Sequence, residues 1–355
     1  MDVVRVMTDQ AKAGMTVAND IYSSNDQLII SKDTVLDDRM ITRLRLYHIF
    51  GILVYKKEKV VETSDSYIEL LRNTPEFKKF NRTYVNTINE VEDSFDHVLK
   101  GTSDFNIDEL LVNTDRILKE GRNGAHVLEM LHGIRDYDDI TYVHSLNVSL
   151  ICNIFGGWLR LPEEDIRALT TAGLLHDIGK LLIPEEIITK DGKLTEEEFK
   201  IVKTHTIKGY QVVKDQPIDI RIKHSILMHH ERCDGSGYPN GFVSEQIDKF
   251  AKIIAIADVY DAMTSNRRYR NAICPFDVVE NFERDGFLKF DPGYLMVFME
   301  HIVQSYLHNI VRLNDGREGE VIMINKLSLS RPVIKTGDNF VDLSKEHKLK
   351  IQKII

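Results

Sequence analysis

The stretch LLHDIGK, residues 174–180, is the most informative part of this sequence, because it places an adjacent histidine and aspartate after an apolar run. Leu169 and Gly173 precede the pair at helical spacing, so His176 and Asp177 continue the inward face of a helix. A carboxylate can bridge two metal ions, whereas an imidazole cannot. Taken alone, however, a buried His-Asp pair is more often simply hydrogen-bonded.

A second polar stretch, HHERCDGSGYP at residues 229–239, follows the apolar residues 226–228. Two adjacent histidines are costly to bury without partners, and a shared metal would satisfy them, because neutral imidazole is the commonest metal ligand. The glycines and the proline predict a turn-rich loop. For this stretch alone, an exposed histidine pair on a surface loop is the simpler alternative.

Other histidines and aspartates also lie on apolar helical segments. Asp258 follows the run IIAIA at residues 253–257, and Asp261 lies one turn further on the same face. His144 and His205 belong to helical segments, and each alone would be interpreted as a core histidine. Five histidines and two aspartates together match a two-metal site: His144, His176, Asp177, His205, His229, His230 and Asp258. Imidazole and carboxylate ligands favour iron, manganese, zinc or nickel over calcium or magnesium.

These motifs resemble the HD-GYP family, a branch of the HD phosphohydrolase superfamily. Residues 176–180 are similar to its HD signature, and residues 229–239 contain every named position of its HHExxDGxGYP signature. The resemblance extends from about Tyr142 through Ala272. It implies that the seven residues are metal ligands, that Asp177 is the bridging carboxylate, and that two divalent transition-metal ions, iron or manganese, are the cofactors.

The resemblance also implies substrate contacts. Lys180 corresponds to the residue that contacts the scissile phosphate, and its alternative is a solvated lysine at a helix end. The loop residues Gly237, Tyr238 and Pro239 would line the substrate pocket. Arg267 and Arg270 match positions that hold the outer phosphate, and their alternative is a solvated basic face.

The activity implied is hydrolysis of cyclic di-GMP to pGpG in bacterial second-messenger signalling, and further hydrolysis to GMP stays open. Some family members bind a third metal through a Glu four residues before the first histidine. Ile140 occupies that position here, which favours two metals and pGpG as the main product. Three alternatives stay open: another cyclic dinucleotide such as cyclic GMP-AMP, a cyclic-dinucleotide receptor, and a general phosphohydrolase. A pure receptor needs no nucleophile, so the intact ligand set disfavours it.

Bulk properties set limits on partners and location. The net charge of −9 argues against duplex nucleic acid as a partner. Cys152, Cys233 and Cys274 form no CxxC pair, which indicates a reducing compartment. No signal peptide or membrane-spanning run is recognised, so we expect a cytoplasmic protein without a membrane partner. A homodimer or a signalling-protein partner is possible.

The fold expected is mainly α-helical, with small modules at both ends. Asp37 should cap a helix in the N-terminal module, and Thr195 with Glu198 should form a capping box in the core. The segments 314–316 and 337–338 predict turns between strands in the tail. The predicted organisation is a small α/β N-terminal module at 1–58, a helical linker at 59–115, an HD-type all-helical catalytic core at 116–305, and a small β module at 306–355.

Overall fold

The computed structural model describes residues 3–8, 11–12, 14–22, 28–46, 49, 51–55, 71–134, 141–190, 192–265 and 272–355. The chain divides into two compact units, residues 1–70 and 71–355. Within the described ranges, every helix is too short or too polar to span a lipid bilayer.

The first unit is a small α/β module, as predicted. Its elements are β1 (Val3–Met7), β2 (Ile21–Tyr22), β3 (Leu28–Ile30), α1 (Asp38–Leu46) and β4 (Gly51–Tyr55). Strand β1 pairs antiparallel with β4, and β2 pairs antiparallel with β3. Asp37 accepts a hydrogen bond from the backbone N–H of Met40 at 2.7 Å, which is the predicted cap. The predicted boundary at residue 58 lies outside the described residues.

The second unit is built mainly from helices. They are α2 (Pro75–Leu99), α3 (Ile107–Glu120), α4 (Gly124–Ile134), α5 (Thr141–Trp158), α6 (Glu163–Leu175), α7 (Glu185–Ile188), α8 (Glu196–Lys203), α9 (His205–Val213), α10 (Ile220–Met228), α11 (Lys249–Thr264), α12 (Pro275–Asn281), α13 (Phe287–Lys289) and α14 (Pro292–Ser305). Short 3-10 helices cover Ile178–Leu182 and Ser244–Gln246, and a π-helical turn covers Phe282–Gly286. The predicted mainly α fold is confirmed.

Helices α2 and α3, which fall in the predicted linker, belong to the same compact unit as the helices that follow. Phe80, Tyr84, Val91 and Phe95 form a buried stripe along α2. The Tyr84 hydroxyl donates a buried hydrogen bond of 2.6 Å to Oδ1 of Asn147 on α5. These two helices therefore pack against the core and do not act as a spacer.

Helix α11 lies at the centre of this unit. Its residues 253–257 are all buried, as expected for a helix that is apolar on every side. It packs against α5, α6 and α10, and α5 and α6 pack closely on each other. Buried polar side chains gather on the facing sides of these helices, and that gathering locates the candidate site.

The tail forms the predicted small β module. Its strands are β5 (Ile310–Leu313), β6 (Glu318–Met323), β7 (Val333–Thr336), β8 (Asn339–Asp342) and β9 (Ile351–Ile354). They form one antiparallel sheet in the order β8-β7-β6-β5-β9. Gly316 has φ +90° in the first predicted turn, and Gly337 has φ +59° in the second, a conformation that favours glycine.

Candidate metal centre

The structure brings all seven predicted ligand side chains together in two groups. Within each group the ligand atoms lie within 4.8 Å of one another. One group contains Asp177, His205, His229 and His230, and the other contains His144, His176 and Asp258. Six of the seven side chains are buried, and His230 is partly buried.

The arrangement of the helices brings the predicted ligand side chains together at one site. His176 ends α6, His205 begins α9, and His229 ends α10, so three helix ends meet at the site. His144 and Asp258 come from within α5 and α11. The ends of short helices can converge on a point more closely than their sides, because fewer side chains intervene.

Three of the imidazoles have their tautomer set by the backbone carbonyl three residues earlier in the chain. The Nδ1 of His176 lies 2.7 Å from the carbonyl oxygen of Gly173. Equivalent contacts join His205 to Val202 at 2.7 Å and His229 to Ile226 at 3.0 Å. A carbonyl oxygen only accepts, so each Nδ1 carries the proton and each Nε2 presents a lone pair to the interior.

The carboxylate of Asp177 lies between the two groups. Its Oδ1 is 3.3 Å from Nε2 of His205 and 3.7 Å from Nε2 of His229. Its Oδ2 is 3.3 Å from Nε2 of His176 and 3.5 Å from Nε2 of His144. Each oxygen therefore faces a different pair of imidazoles, as a bridging ligand does.

This arrangement suits a bound cation. Within the described residues, Nε2 of His176 and Oδ1 of Asp177 are buried with no hydrogen-bond partner. Unprotonated Nε2 atoms also face carboxylate oxygens, and His205 and His229 approach each other at 3.3 Å through their Nε2 atoms. Lone pairs so close in a buried site repel unless positive charge lies between them. The donor set of imidazole and carboxylate therefore fits transition-metal ions.

The protonation states of three of these side chains agree with ligation. Burial lowers the pKa of His229 to about 4 and that of His230 well below its usual value, so both rings are neutral at pH 7. The pKa of Asp177 lies well below its usual range: burial opposes ionisation, but Lys180 and the neighbouring histidines together outweigh it. Metal ligands need these forms, neutral imidazole and ionised carboxylate.

His144 is held differently, between two carboxylates. Its Nδ1 lies 2.8 Å from Oδ2 of Asp261, and its Nε2 lies 3.0 Å from Oδ1 of Asp258. Burial lowers its pKa, but the two carboxylates outweigh this and raise it to about 10. Asp261 thus orients the ring. The position of Asp261, one turn after Asp258 on the same helix face, is the sequence signal for this role.

Lys180 lies next to the bridging carboxylate. Its Nζ is 2.6 Å from Oδ2 of Asp177, and the side chain is 24% exposed. The ammonium therefore contacts the predicted bridging carboxylate, and part of the Lys180 side chain remains exposed.

The loop after α10 is folded back onto the histidines. Glu231 is buried and accepts hydrogen bonds from the backbone N–H groups of Asn240 at 2.7 Å and Phe242 at 3.0 Å. A Cβ on Gly237 would lie 2.4 Å from Cα of Glu231, so only glycine allows this approach. The ring of Tyr238 then lies 4.7 Å from that of His230, centroid to centroid. Neither the role of Glu231 nor the close packing of Gly237 was predicted from sequence.

The close packing of a second glycine, Gly179, was also not predicted from the sequence. A Cβ on Gly179 would lie 1.9 Å from the carbonyl oxygen of His205 and 2.5 Å from the backbone nitrogen of Gly209. This contact brings the 3-10 helix that follows Asp177 against α9, and so sets the distance between Asp177 and His205.

Three residues of the sequence analysis lie outside the described residues. Arg267 and Arg270 were expected on the continuation of α11 or just past its end, and α11 ends at Thr264. Ile140, the position of the missing third-metal ligand, directly precedes α5. Their roles stay predictions.

The sequence of this chain is similar to a known domain family and to several known phosphodiesterases. Residues 122–292 match the HD domain family. A cyclic di-GMP phosphodiesterase of Pseudomonas aeruginosa is 36% identical over 204 residues, which cover 57% of this chain and 49% of that protein. The cyclic di-GMP phosphodiesterase response regulator RpfG of Xanthomonas campestris is 43% identical over 155 residues, covering 43% and 41%. A 3′3′-cGAMP-specific phosphodiesterase of Vibrio cholerae is 42% identical over 136 residues, covering 38% and 31%.

The chain spans about half the length of the curated relatives it matches. Its helical core contains an HD domain. With the complete HHExxDGxGYP residues at 229–239, that domain is of the HD-GYP phosphohydrolase type.

Proposed function

We propose that this protein is a metal-dependent phosphodiesterase that hydrolyses cyclic di-GMP to pGpG, using two divalent ions of iron or manganese. The position of Asp177 carries the proposal, since each of its oxygens faces a different pair of imidazole Nε2 atoms. The similarity to cyclic di-GMP phosphodiesterases supports the substrate.

The seven ligand side chains would hold the ions, with Asp177 shared between the two groups. Such a pair supplies the activation of water and the stabilisation of charge on a phosphoryl group. The protein keeps these ligands in position through the Nδ1 contacts of three histidines and through Asp261. Orientation of ligands by such outer contacts is what gives a site of this kind its metal affinity.

Lys180 is positioned to bind the phosphate that is cut. An ammonium has three protons, so Lys180 can keep its contact with Asp177 and also donate to a phosphoryl oxygen. Water adds to phosphorus, one phosphorus–O3′ bond breaks, and the 3′-oxygen leaves with a proton. The cyclic substrate thereby becomes linear pGpG with one new terminal phosphate.

A second substrate deserves a direct test. Relatives named 3′3′-cGAMP-specific phosphodiesterases reach 42% identity, as high as the cyclic di-GMP enzymes. Cyclic GMP-AMP presents the same phosphodiester backbone and differs in one base, so the metal ligands cannot distinguish the two. Homodimerisation and a signalling partner stay predictions.

The test is turnover by protein loaded anaerobically with iron(II) or manganese(II). We expect cyclic di-GMP to be converted to pGpG, with cyclic GMP-AMP and bis(p-nitrophenyl) phosphate cleaved more slowly, measured by chromatography of the products. Chelator-treated protein is the control. Protein that holds two ions per chain and leaves cyclic di-GMP intact would overturn the proposal, and tight binding without turnover would instead indicate a receptor.

A further inference from the structure

Lys203 is a half-buried lysine beside the metal centre. It is the last residue of α8, two positions before His205. No carboxylate within the described ranges forms an ion pair with it. Its Nζ lies instead 4.8 Å from the centroid of the Phe199 ring and 5.3 Å from that of the Tyr238 ring. An ammonium held over two aromatic rings without a counter-ion is suited to bind an electron-rich ligand.

The packing of α8 keeps this ammonium in place. Phe199 and Lys203 are four residues apart, so their side chains lie on the same face of the helix. The capping box of Thr195 and Glu198 fixes the start of α8. Glu198 is also bound to Lys190, with both oxygens 2.6 Å from its Nζ, so this carboxylate is already paired.

The two rings form an aromatic surface that runs outward from the site. Tyr238 lies 4.7 Å from His230, and Phe199 meets Tyr238 edge to face at 6.5 Å. Phe199 is 46% exposed. A large exposed aromatic ring next to a nucleotide-cleaving centre offers a face on which a base can stack.

We propose that Phe199, Lys203 and Tyr238 form the binding site for one guanine base of the substrate, with Lys203 selecting guanine over adenine. Guanine presents two neighbouring acceptors, O6 and N7, to which a lysine can donate. Adenine presents an amino group in place of O6, so the same ammonium meets a donor. This inference rests on the proposed function and adds the residue that sets base preference.

The test measures binding of the linear dinucleotides pGpG and pApA to the metal-loaded protein by calorimetry, so that no turnover is needed. Wild-type protein should bind pGpG about tenfold more tightly than pApA. Lys203→Met keeps the apolar stem over Phe199 and removes the charge, so the preference should fall to about one, mainly through weaker binding of pGpG. Lys203→Arg should retain it.

Lys200→Met is the matched control, because Lys200 is an exposed lysine on the same helix and its loss changes the net charge equally. It should leave the preference unchanged. Equal weakening of pGpG and pApA by Lys203→Met would show a phosphate contact and overturn the assignment to guanine. An unchanged preference in this variant would overturn it as well. Failure of the proposed function is a separate result, since it appears as wild-type protein that cleaves no cyclic dinucleotide.

Discussion

The close contact between Gly179 and α9 predicts that one added methyl group disrupts the metal centre. In Gly179→Ala the new Cβ would lie 1.9 Å from the carbonyl oxygen of His205. Both neighbours are backbone atoms, so no side chain can rotate away. An ordinary carbon–oxygen contact is about 3.3 Å or more, so the 3-10 helix and α9 must separate by roughly 1 Å or more.

That displacement acts directly on the ligands. Asp177 directly precedes the 3-10 helix and His205 begins α9, and their ligand atoms are 3.3 Å apart. Metal sites tolerate errors of about 0.2 Å in ligand distance, so a shift of this size should abolish binding in the group containing His205. Overpacking of this kind also costs about 1–3 kcal/mol of folding free energy.

The assay is metal content per chain after anaerobic loading, together with a thermal melt. Gly157→Ala is the control, because nothing lies within 4 Å of the Cβ it would add. Gly157 lies within α5, so its replacement should stabilise the helix by about 1 kcal/mol or less and leave metal content unchanged. Folded Gly179→Ala protein with full metal content would refute the reasoning about this contact.

Three further predictions concern ligands and substrate. Asp177→Ala should lose both ions and all turnover yet remain folded, which elemental analysis and circular dichroism would show; retention of most activity would contradict the bridging role. Asp261→Ala should weaken metal binding about 10- to 100-fold, because His144 loses its orienting acceptor, and a manganese titration that matches wild type would remove that role. Replacing Arg267 and Arg270 by alanine should raise KM about tenfold or more with a smaller effect on kcat, since charge-assisted hydrogen bonds contribute about 1.5–3 kcal/mol each; an unchanged KM would place both arginines on a solvated face.

The ligand types could be recognised from sequence because they are costly to bury without partners. Histidines and aspartates on apolar helices such as α5 and α11 imply a satisfied polar cluster, whatever the exact packing. Which oxygen of Asp177 faces which imidazole could not be predicted, because it depends on how three helix ends converge. The close approach of Gly179 to the backbone of α9 could not be predicted either, since a single glycine in a sequence is compatible with any turn.

Residues 59–115 were interpreted as a linker because apolar residues are sparse there. Low apolar density suggested a spacer, yet Phe77, Phe80, Tyr84, Val91 and Phe95 recur every three, four or seven residues along α2. That period describes one buried face of a helix against a core, with the remaining positions polar. Periodicity was therefore the better guide than density for this segment.

The folded-back loop after α10 has a consequence for engineering. Residues 229–242 carry two predicted metal ligands, the buried carboxylate of Glu231 that closes the loop, and the ring of Tyr238. A graft that imports another substrate preference would have to exchange this whole segment, because a partial exchange that changes the path of the loop would displace the backbone N–H groups that bind Glu231. Helix α8 contributes only side chains to the same surface, so its positions can be varied singly, and a library built at Phe199 and Lys203 would sample base preference without touching the metal ligands.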